Sequence, residues 1–363
     1  MISKDFFKAL ELLAEERGLE KEKILDIMGR GILNAYKKEH ATSENARVEF
    51  NAEKAEILLI ADYVVVDEVI NPGELSLKEA KTKRKSAKVG DTITIKERPK
   101  EFGRIAASSA KQILTQGLKQ LEREKAFNIF KERENEMINT EIVAINKDFV
   151  TLDLGNNQET SLPRKELLKS DDVFIGARLK VYITKVDMTT KGPKVFVSRT
   201  DKNLVKRLIE QVCPEISDGT VEIMGIARDP GDRCKVAVYS HDENVDPVGS
   251  VVGYKGARIK EVLESLQGEK VDIYEWSKDP VELILNALEP AKVVAINPNK
   301  KKDYALVIVK DKDLTSAIGS KGQNARLASH SSGWKIEVKS ISQAKEEGIR
   351  YRRLDNETDN EEA

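Results

Sequence analysis

From residue 201 onward the chain spells out one order of elements twice, and this repetition constrains the fold more than any other feature. The first pass reads DKNLVKRLIEQVC, TVEIMGIARD, RCKVAVYS, DPVGSVV, GYKG, ARIKEVLESLQ, KVDIYEW. The second reads PVELILNALEP, KVVAINPN, YALVIVK, LTSAI, GSKG, QNARLASHSS, KIEVKS. Each pass predicts helix, strand, strand, helix, glycine loop, helix, strand. The two glycine loops lie 66 residues apart. Two small α+β modules of pattern α-β-β-α-α-β are therefore expected, spanning 201–276 and 277–345.

The loops are Gly253-Tyr254-Lys255-Gly256 and Gly319-Ser320-Lys321-Gly322. Glycine has no Cβ, so such a turn lets bare backbone approach a ligand. It also opens a helix, whose free N–H groups and positive dipole end attract phosphate. One Gly-x-x-Gly serves any tight helix–helix turn. Two, each with Lys in the third position and each after an apolar half-turn (Val251-Val252, Ala317-Ile318), point to nucleic-acid binding. The helices that follow offer Arg258 and Lys260 in one copy and Gln323, Asn324 and Arg326 in the other. The first module's last strand ends near Trp276 and the second module's first helix begins at Pro280, so the two grooves should be fixed relative to each other. A strand held by one loop then meets the other at high effective concentration.

The preceding sequence differs in character. Two amphipathic helices are expected over 3–38, capped at Ser3 and carrying Phe6, Phe7, Leu10, Leu13 and Ala14, then Ile24, Ile27, Met28, Ile32, Leu33 and Tyr36. Strands are expected at 46–51, 56–66 and along DTITIKE, with a basic, core-poor loop, LKEAKTKRKSAK, between the last two. A long helix from Glu101 to about Glu134 closes a first α+β domain, 1–134, with Phe102, Ile105, Ile113, Leu114, Leu118, Leu121, Phe127 and Phe130 inward. Over 135–200 five short strands (INTEIVAIN, FVTLDL, QETSLP, ARLKVYITKV, PKVFVSR) and a helical insert near Arg164 read as a small OB-type β-barrel. Such barrels stack bases on exposed aromatics. Phe149, Tyr182 and Phe196 are the aromatic candidates, and core packing is the expectation for each; Phe149 is kept as the candidate contact, with Lys147 and Arg164 supplying charge. Residues 346–363 form an acidic tail expected to be disordered.

The chain has 61 basic and 62 acidic residues, a formal net charge of −1, which excludes a uniformly basic binder but not segregated basic faces. Catalytic groups are thin. His40, His241 and His330 are far apart, and Cys213 and Cys234 form no CxxC and are expected buried and unbridged. No HExxH, Walker A or metal-spaced cluster appears, so neither an enzyme nor a cofactor is expected. No apolar run approaches a membrane span and the N-terminus lacks an apolar signal core, so a cytoplasmic location is expected; a monomer is expected as well.

The two modules resemble type II KH domains, each of which clamps about four nucleotides of single-stranded RNA. The segments IARDPGDRCKVAVYS, DPVGSVVGYKGARIKEV, AIGSKGQNARLAS and SGWKIEV are similar to the NusA family of bacterial transcription elongation factors. LDLGNNQE and KVFVSRT fit that family's S1 barrel, and VVVDEV its polymerase-binding domain. The resemblance implies a factor that binds the RNA polymerase core and the nascent transcript, works with other elongation or antitermination factors, and modulates pausing, termination and antitermination. Some members carry acidic C-terminal repeats. The sequence ends at 363 without them, so behaviour that depends on them is expected to be absent. The alternative is an S1–KH subunit of an RNA processing or degradation complex; an RNA-modifying enzyme with an unfamiliar site stands third.

Overall fold

The computed structural model describes residues 4–38, 44–54, 56–156 and 158–354. It divides into two compact units, residues 1–129 with 188–193, and residues 130–187 with 194–363.

In the first unit, helices α1 (Lys4–Arg17) and α2 (Lys21–Lys37) precede strands β1 (Arg47–Asn51), β2 (Glu56–Val66) and β3 (Glu74–Ser76), helix α3 (Leu77–Lys83), strand β4 (Thr92–Glu97) and the long helix α4 (Lys100–Glu132). The β-branched run of β2 is the hub. It pairs antiparallel with β1 and β4 and parallel with β3. Ile57, Leu59 and Ala61 from β2 meet Ile32 and Leu33 from α2 and Phe102 and Ile105 from α4. Gly117 of α4 lies so near α2 that an added Cβ would fall 2.2 Å from Ile27 Cγ2. The stretch read as a loop is structured. Ser76 and Glu79 form a reciprocal capping box, and α3 turns Ala80 fully into the core, so its lysines line the outside of a helix. Ser3 and the side chains of Phe6, Leu13, Ile113 and Leu114 lie outside the described residues.

The second unit begins with the barrel strands β5 (Met137–Ile145), β6 (Phe149–Asp153), β7 (Glu159–Pro163), β8 (Arg178–Thr189) and β9 (Gly192–Ser198), ordered β7-β6-β5-β8-β9. Alternation fills the interior with Val150, Leu152, Leu162, Leu179, Val181, Ile183, Val195 and Val197. The Thr160 hydroxyl donates to the Val195 carbonyl, joining the outer strands β7 and β9 into a nearly closed barrel.

Next comes α5 (Lys202–Val212), capped by the Asp201 carboxylate accepting from Asn203 N at 2.8 Å, then the single turn α6 (Pro214–Ser217). Strands β10 (Val221–Asp229) and β11 (Arg233–Ser240), helices α7 (Pro247–Val252) and α8 (Ala257–Ser265) and strand β12 (Lys270–Glu275) complete the first module. The second repeats it as α9 (Pro280–Leu288), β13 (Val293–Asn299), β14 (Tyr304–Val309), α10 (Leu314–Ile318), α11 (Gln323–Ser332) and β15 (Lys335–Ser340), followed by α12 (Ile341–Glu346). Both sheets pair their first two strands antiparallel and their last two parallel, in the orders β10-β11-β12 and β13-β14-β15.

Buried charge ties the barrel to the first module. Arg199 pairs with Asp171, and the guanidinium also donates to the Lys180 carbonyl at 2.8 Å and the Ser265 carbonyl at 3.2 Å. Within the first module Arg228 forks onto Glu269 at 2.7 and 2.8 Å. Each guanidinium is fully paired, which its burial requires. The tail expected from 346 begins inside ordered structure: Ile349 and Tyr351 pack against Ala295, Ile308 and Ala344. Residues 355–363 lie outside the described residues.

Candidate nucleic-acid interface

The two glycine loops have nearly the same backbone. Gly253 and Gly319 have φ/ψ of 75/172° and 77/172°, a region only glycine enters freely. Lys255 and Lys321 sit in the left-handed region at φ 51°, and Gly256 and Gly322 at φ 74° and 76°. Gly256 N donates to Gly253 O at 3.0 Å, and Gly322 N to Gly319 O at 3.2 Å, closing each turn. Each loop opens directly into α8 or α11; the first helical amide, of Ala257 or Gln323, bonds back to the Tyr254 or Ser320 carbonyl, and the positive end of each helix dipole lies at the loop.

The two glycines of each loop do different work. A Cβ on Gly253 would meet Arg258 Cγ at 2.7 Å, and one on Gly319 would meet the Asn324 backbone nitrogen at 2.7 Å. The first glycine is therefore required by the protein's own packing. A Cβ on Gly256 would meet only Ile259 Cγ2, at 3.8 Å, and one on Gly322 would meet nothing within 4 Å. Gly319→Ala should thus cost about 1–3 kcal/mol of stability, and Gly322→Ala only about 1 kcal/mol. The order of RNA affinity losses should reverse once folded protein alone is compared. Urea unfolding and a binding isotherm on each variant check both halves.

The loop tips are exposed and positive. Tyr254 is 83% exposed with the Lys255 ammonium 5.3 Å from its ring centroid. Ser320 and Lys321 are exposed in the second loop, and Lys260 stands on α8 with only a 3.9 Å pair to Glu264. Other expected contacts are spent on the fold. Arg258 is held by Glu215 at 2.9 Å and by the Ser250 carbonyl, locking α8 to α6 and α7. Asn324 is 4% exposed and donates to the carbonyls of Leu288 and Ala317, both at 3.1 Å. Its side chain anchors α11 and does not reach the surface.

Gln323 and Arg326 serve a joint. The Gln323 amide donates to Asp229 at 2.9 Å and Asp232 at 2.8 Å, and Arg326 pairs with Asp229 at 2.6 Å. These acids belong to the β10–β11 turn of the first module. The joint continues where Gly225, at a bulge in β10, lies under α11: a Cβ there would fall 2.0 Å from the Ser331 carbonyl oxygen. Tyr274 donates to Ser331 at 2.8 Å, and burial pushes that phenol up to about 12, so it remains a donor. Lys235 donates to the Glu289 carbonyl at 3.0 Å, and Ala237 and Tyr274 share one apolar cluster with Leu283, Ile284 and Leu288. The second module's loop-bearing helix is clamped onto the first module's sheet.

On the barrel, the expectation of core packing is met by Tyr182, at 5% exposure, and not by Phe149 and Phe196, at 36% and 37%. Both occupy outward positions of strands whose neighbours Val150, Val195 and Val197 fill the interior. Phe149 pairs with Pro163 across β6–β7. Lys147 and Arg164 are exposed at the same end, the latter donating to the Asn146 carbonyl at 3.2 Å. The three barrel candidates are brought together.

The remaining reactive groups have ordinary roles. Cys213 and Cys234 are buried and unpaired. Burial pushes the Cys234 thiol up to about 12 and raises Cys213, so neither is a thiolate at neutral pH. His241 is exposed beside Glu222 at 3.0 Å, His330 is exposed on α11, and His40 lies outside the described residues. Among the described residues no His, Cys, Asp and Glu cluster is placed to hold a metal, and no helix is long and apolar enough to cross a membrane.

A barrel followed by two clamped Gly-x-x-Gly modules defines a multidomain RNA-binding protein of the S1–KH class. Four family models match in the same order: the NusA N-terminal domain over residues 5–124, the S1 RNA binding domain over 131–198, the NusA-like first KH domain over 199–276 and the NusA-like second KH domain over 280–346. The chain is 43% identical to the transcription termination/antitermination protein NusA of Bacillus subtilis (strain 168) over 98% of its own length and 95% of that protein's. It is 42% identical to the protein of the same name from Halalkalibacterium halodurans (96% and 91% covered) and 38% identical to that of Thermus thermophilus (92% and 89% covered). The chain belongs to the NusA family. These relatives carry the name of regulatory proteins, not of enzymes.

Proposed function

We infer that this protein is a transcription elongation factor that binds RNA polymerase and holds the nascent single-stranded transcript, modulating pausing, termination and antitermination. The observation that carries the reading is the pair of exposed lysine-bearing loops of matching backbone geometry on two modules locked into one body. Two weak clamps on one rigid support act as a single extended site, a gain of roughly a hundredfold over either alone. The contacts are Gly253 to Gly256 with Lys260, and Gly319 to Gly322; Phe149, Lys147 and Arg164 extend the surface onto the barrel. Residues 1–134 bind the polymerase core, 135–200 form the barrel, and 201–276 and 277–345 the paired clamps. The protein acts as a cytoplasmic monomer and meets other elongation factors on the polymerase.

An affinity pull-down from bacterial lysate with the full chain tests this assignment against a role in RNA processing. Core polymerase is the expected catch, and it should be lost when residues 1–134 are removed. Recovery of a ribonuclease assembly without polymerase would overturn the reading.

A further inference from the structure

The outer edge of the second KH sheet carries basic side chains remote from that module's glycine loop. Strand β13 is that edge, and the chain after α12 returns along it. Leu354 N donates to Val294 O at 3.0 Å, and the Asn297 amide donates to Arg350 O at 3.2 Å. Ile349 and Tyr351 turn inward onto Ala295, Ile308 and Ala344, so the alternating Arg350 and Arg352 are exposed. Lys292 precedes the strand and Lys300, Lys301 and Lys302 follow it, all exposed, with Asp303 the sole carboxylate in the turn 299–304. At about 3.3 Å per residue the seven-residue strand sets Lys292 and the lysine turn roughly 23 Å apart.

The internal repeat sharpens what the stripe is for. In the first module the equivalent turn, β10–β11, is acidic, and Asp229 and Asp232 there receive Gln323 and Arg326 from the neighbouring module. The second module's turn reverses that charge and so suits an anion. It is also distant from the loop. Lys335 N donates to Asp303 O at 2.7 Å, which places the turn beside the C-terminal end of α11, whereas the glycine loop opens its N-terminus. Ten residues of helix separate the ends, about 15 Å.

We propose that Lys292, Lys300, Lys301, Lys302, Arg350 and Arg352 form a phosphate track for a nucleic-acid backbone, separate from the two KH loops. The side chains are long, exposed lysines and arginines without a fixed fork, so the track reads charge and not sequence.

The test compares the full-length chain with the charge-reversed set Lys300→Glu, Lys301→Glu, Lys302→Glu, Arg350→Glu and Arg352→Glu, and with the milder all-Gln set. The probes are single-stranded RNA of roughly 8 nucleotides, enough for the two loops, single-stranded RNA of roughly 25, and duplex DNA of roughly 25 base pairs. Affinity for a long probe should fall about tenfold or more, and its salt slope should flatten by at least one phosphate, about 0.7 for single strands. Binding of the short RNA and the melting temperature should stay unchanged, and the Gln set should show the same pattern more weakly. A loss confined to the duplex identifies duplex DNA as the backbone held; a loss on the long RNA identifies the transcript. Unchanged affinity and slope on both long probes would overturn the track and leave an acidic protein surface as its partner. An equal loss on the short RNA would also overturn it, by merging the stripe with the loop site.

Discussion

Replacing Tyr254, Lys255, Ser320 and Lys321 together by Asp should reduce RNA affinity by more than about a hundredfold while leaving thermal unfolding nearly unchanged. The fold tolerates the change for reasons visible in the loops. All four side chains are exposed and none belongs to a core cluster. Lys255 and Lys321 occupy the left-handed region, which Asp enters more readily than most residues. The new carboxylates stand at the starts of α8 and α11, where a negative charge favours the helix dipole. The same carboxylates repel phosphate from the loop tips, where two lysine charges have been removed. Stability and binding should therefore separate cleanly when a melting curve and an RNA titration are run on one preparation.

Gly225→Ala should cost binding without touching either loop. A Cβ at that position would lie 2.0 Å from a backbone oxygen of α11, a distance no side-chain rearrangement relieves. The helix must lift off the first module's sheet, and the bonds of Gln323 and Arg326 to Asp229 and of Tyr274 to Ser331 should loosen with it. Each module keeps its glycine loop and the apolar side chains of its own elements, so binding to an RNA of about four nucleotides, one module's worth, should stay as it was. Affinity for an RNA spanning both loops should fall by about tenfold or more, because effective concentration depends on fixed geometry. A titration with the two RNA lengths distinguishes this from general unfolding.

What the sequence revealed of the fold follows from the range of the forces involved. The repeated modules, the five barrel strands and helices α1, α2 and α4 were legible because apolar spacing and turn residues are local signals. Helix α3 was not, because its buried face is Ala80 in a run of lysines; the Ser76…Glu79 capping box was the signal available. The outward placement of Phe149 needed the register of β6, which becomes readable once Val150 and Leu152 are assigned inward. The turns at 253–256 and 319–322 stand between helices as the repeat implies, whereas the surroundings of the flanking polar residues are not local. Arg258 is held by Glu215, 43 residues earlier, and Arg326 by Asp229, 97 residues earlier. Spacing along the chain carries no trace of such partners, so residues that brace a module or join two of them read as ligand contacts. Asn324 is the clearest case, a polar side chain in a helix that bonds inward to carbonyls.

One RNA strand is expected to lie across both loops at once. A titration of the wild-type chain and of two single-loop variants, Tyr254→Asp/Lys255→Asp and Ser320→Asp/Lys321→Asp, with an RNA of roughly eight nucleotides, two modules' worth, tests this. If the strand is shared, either variant alone falls to single-module affinity, a loss of roughly a hundredfold. If one variant binds as tightly as the wild type, that loop is not on the path of the RNA and the two modules do not share a strand.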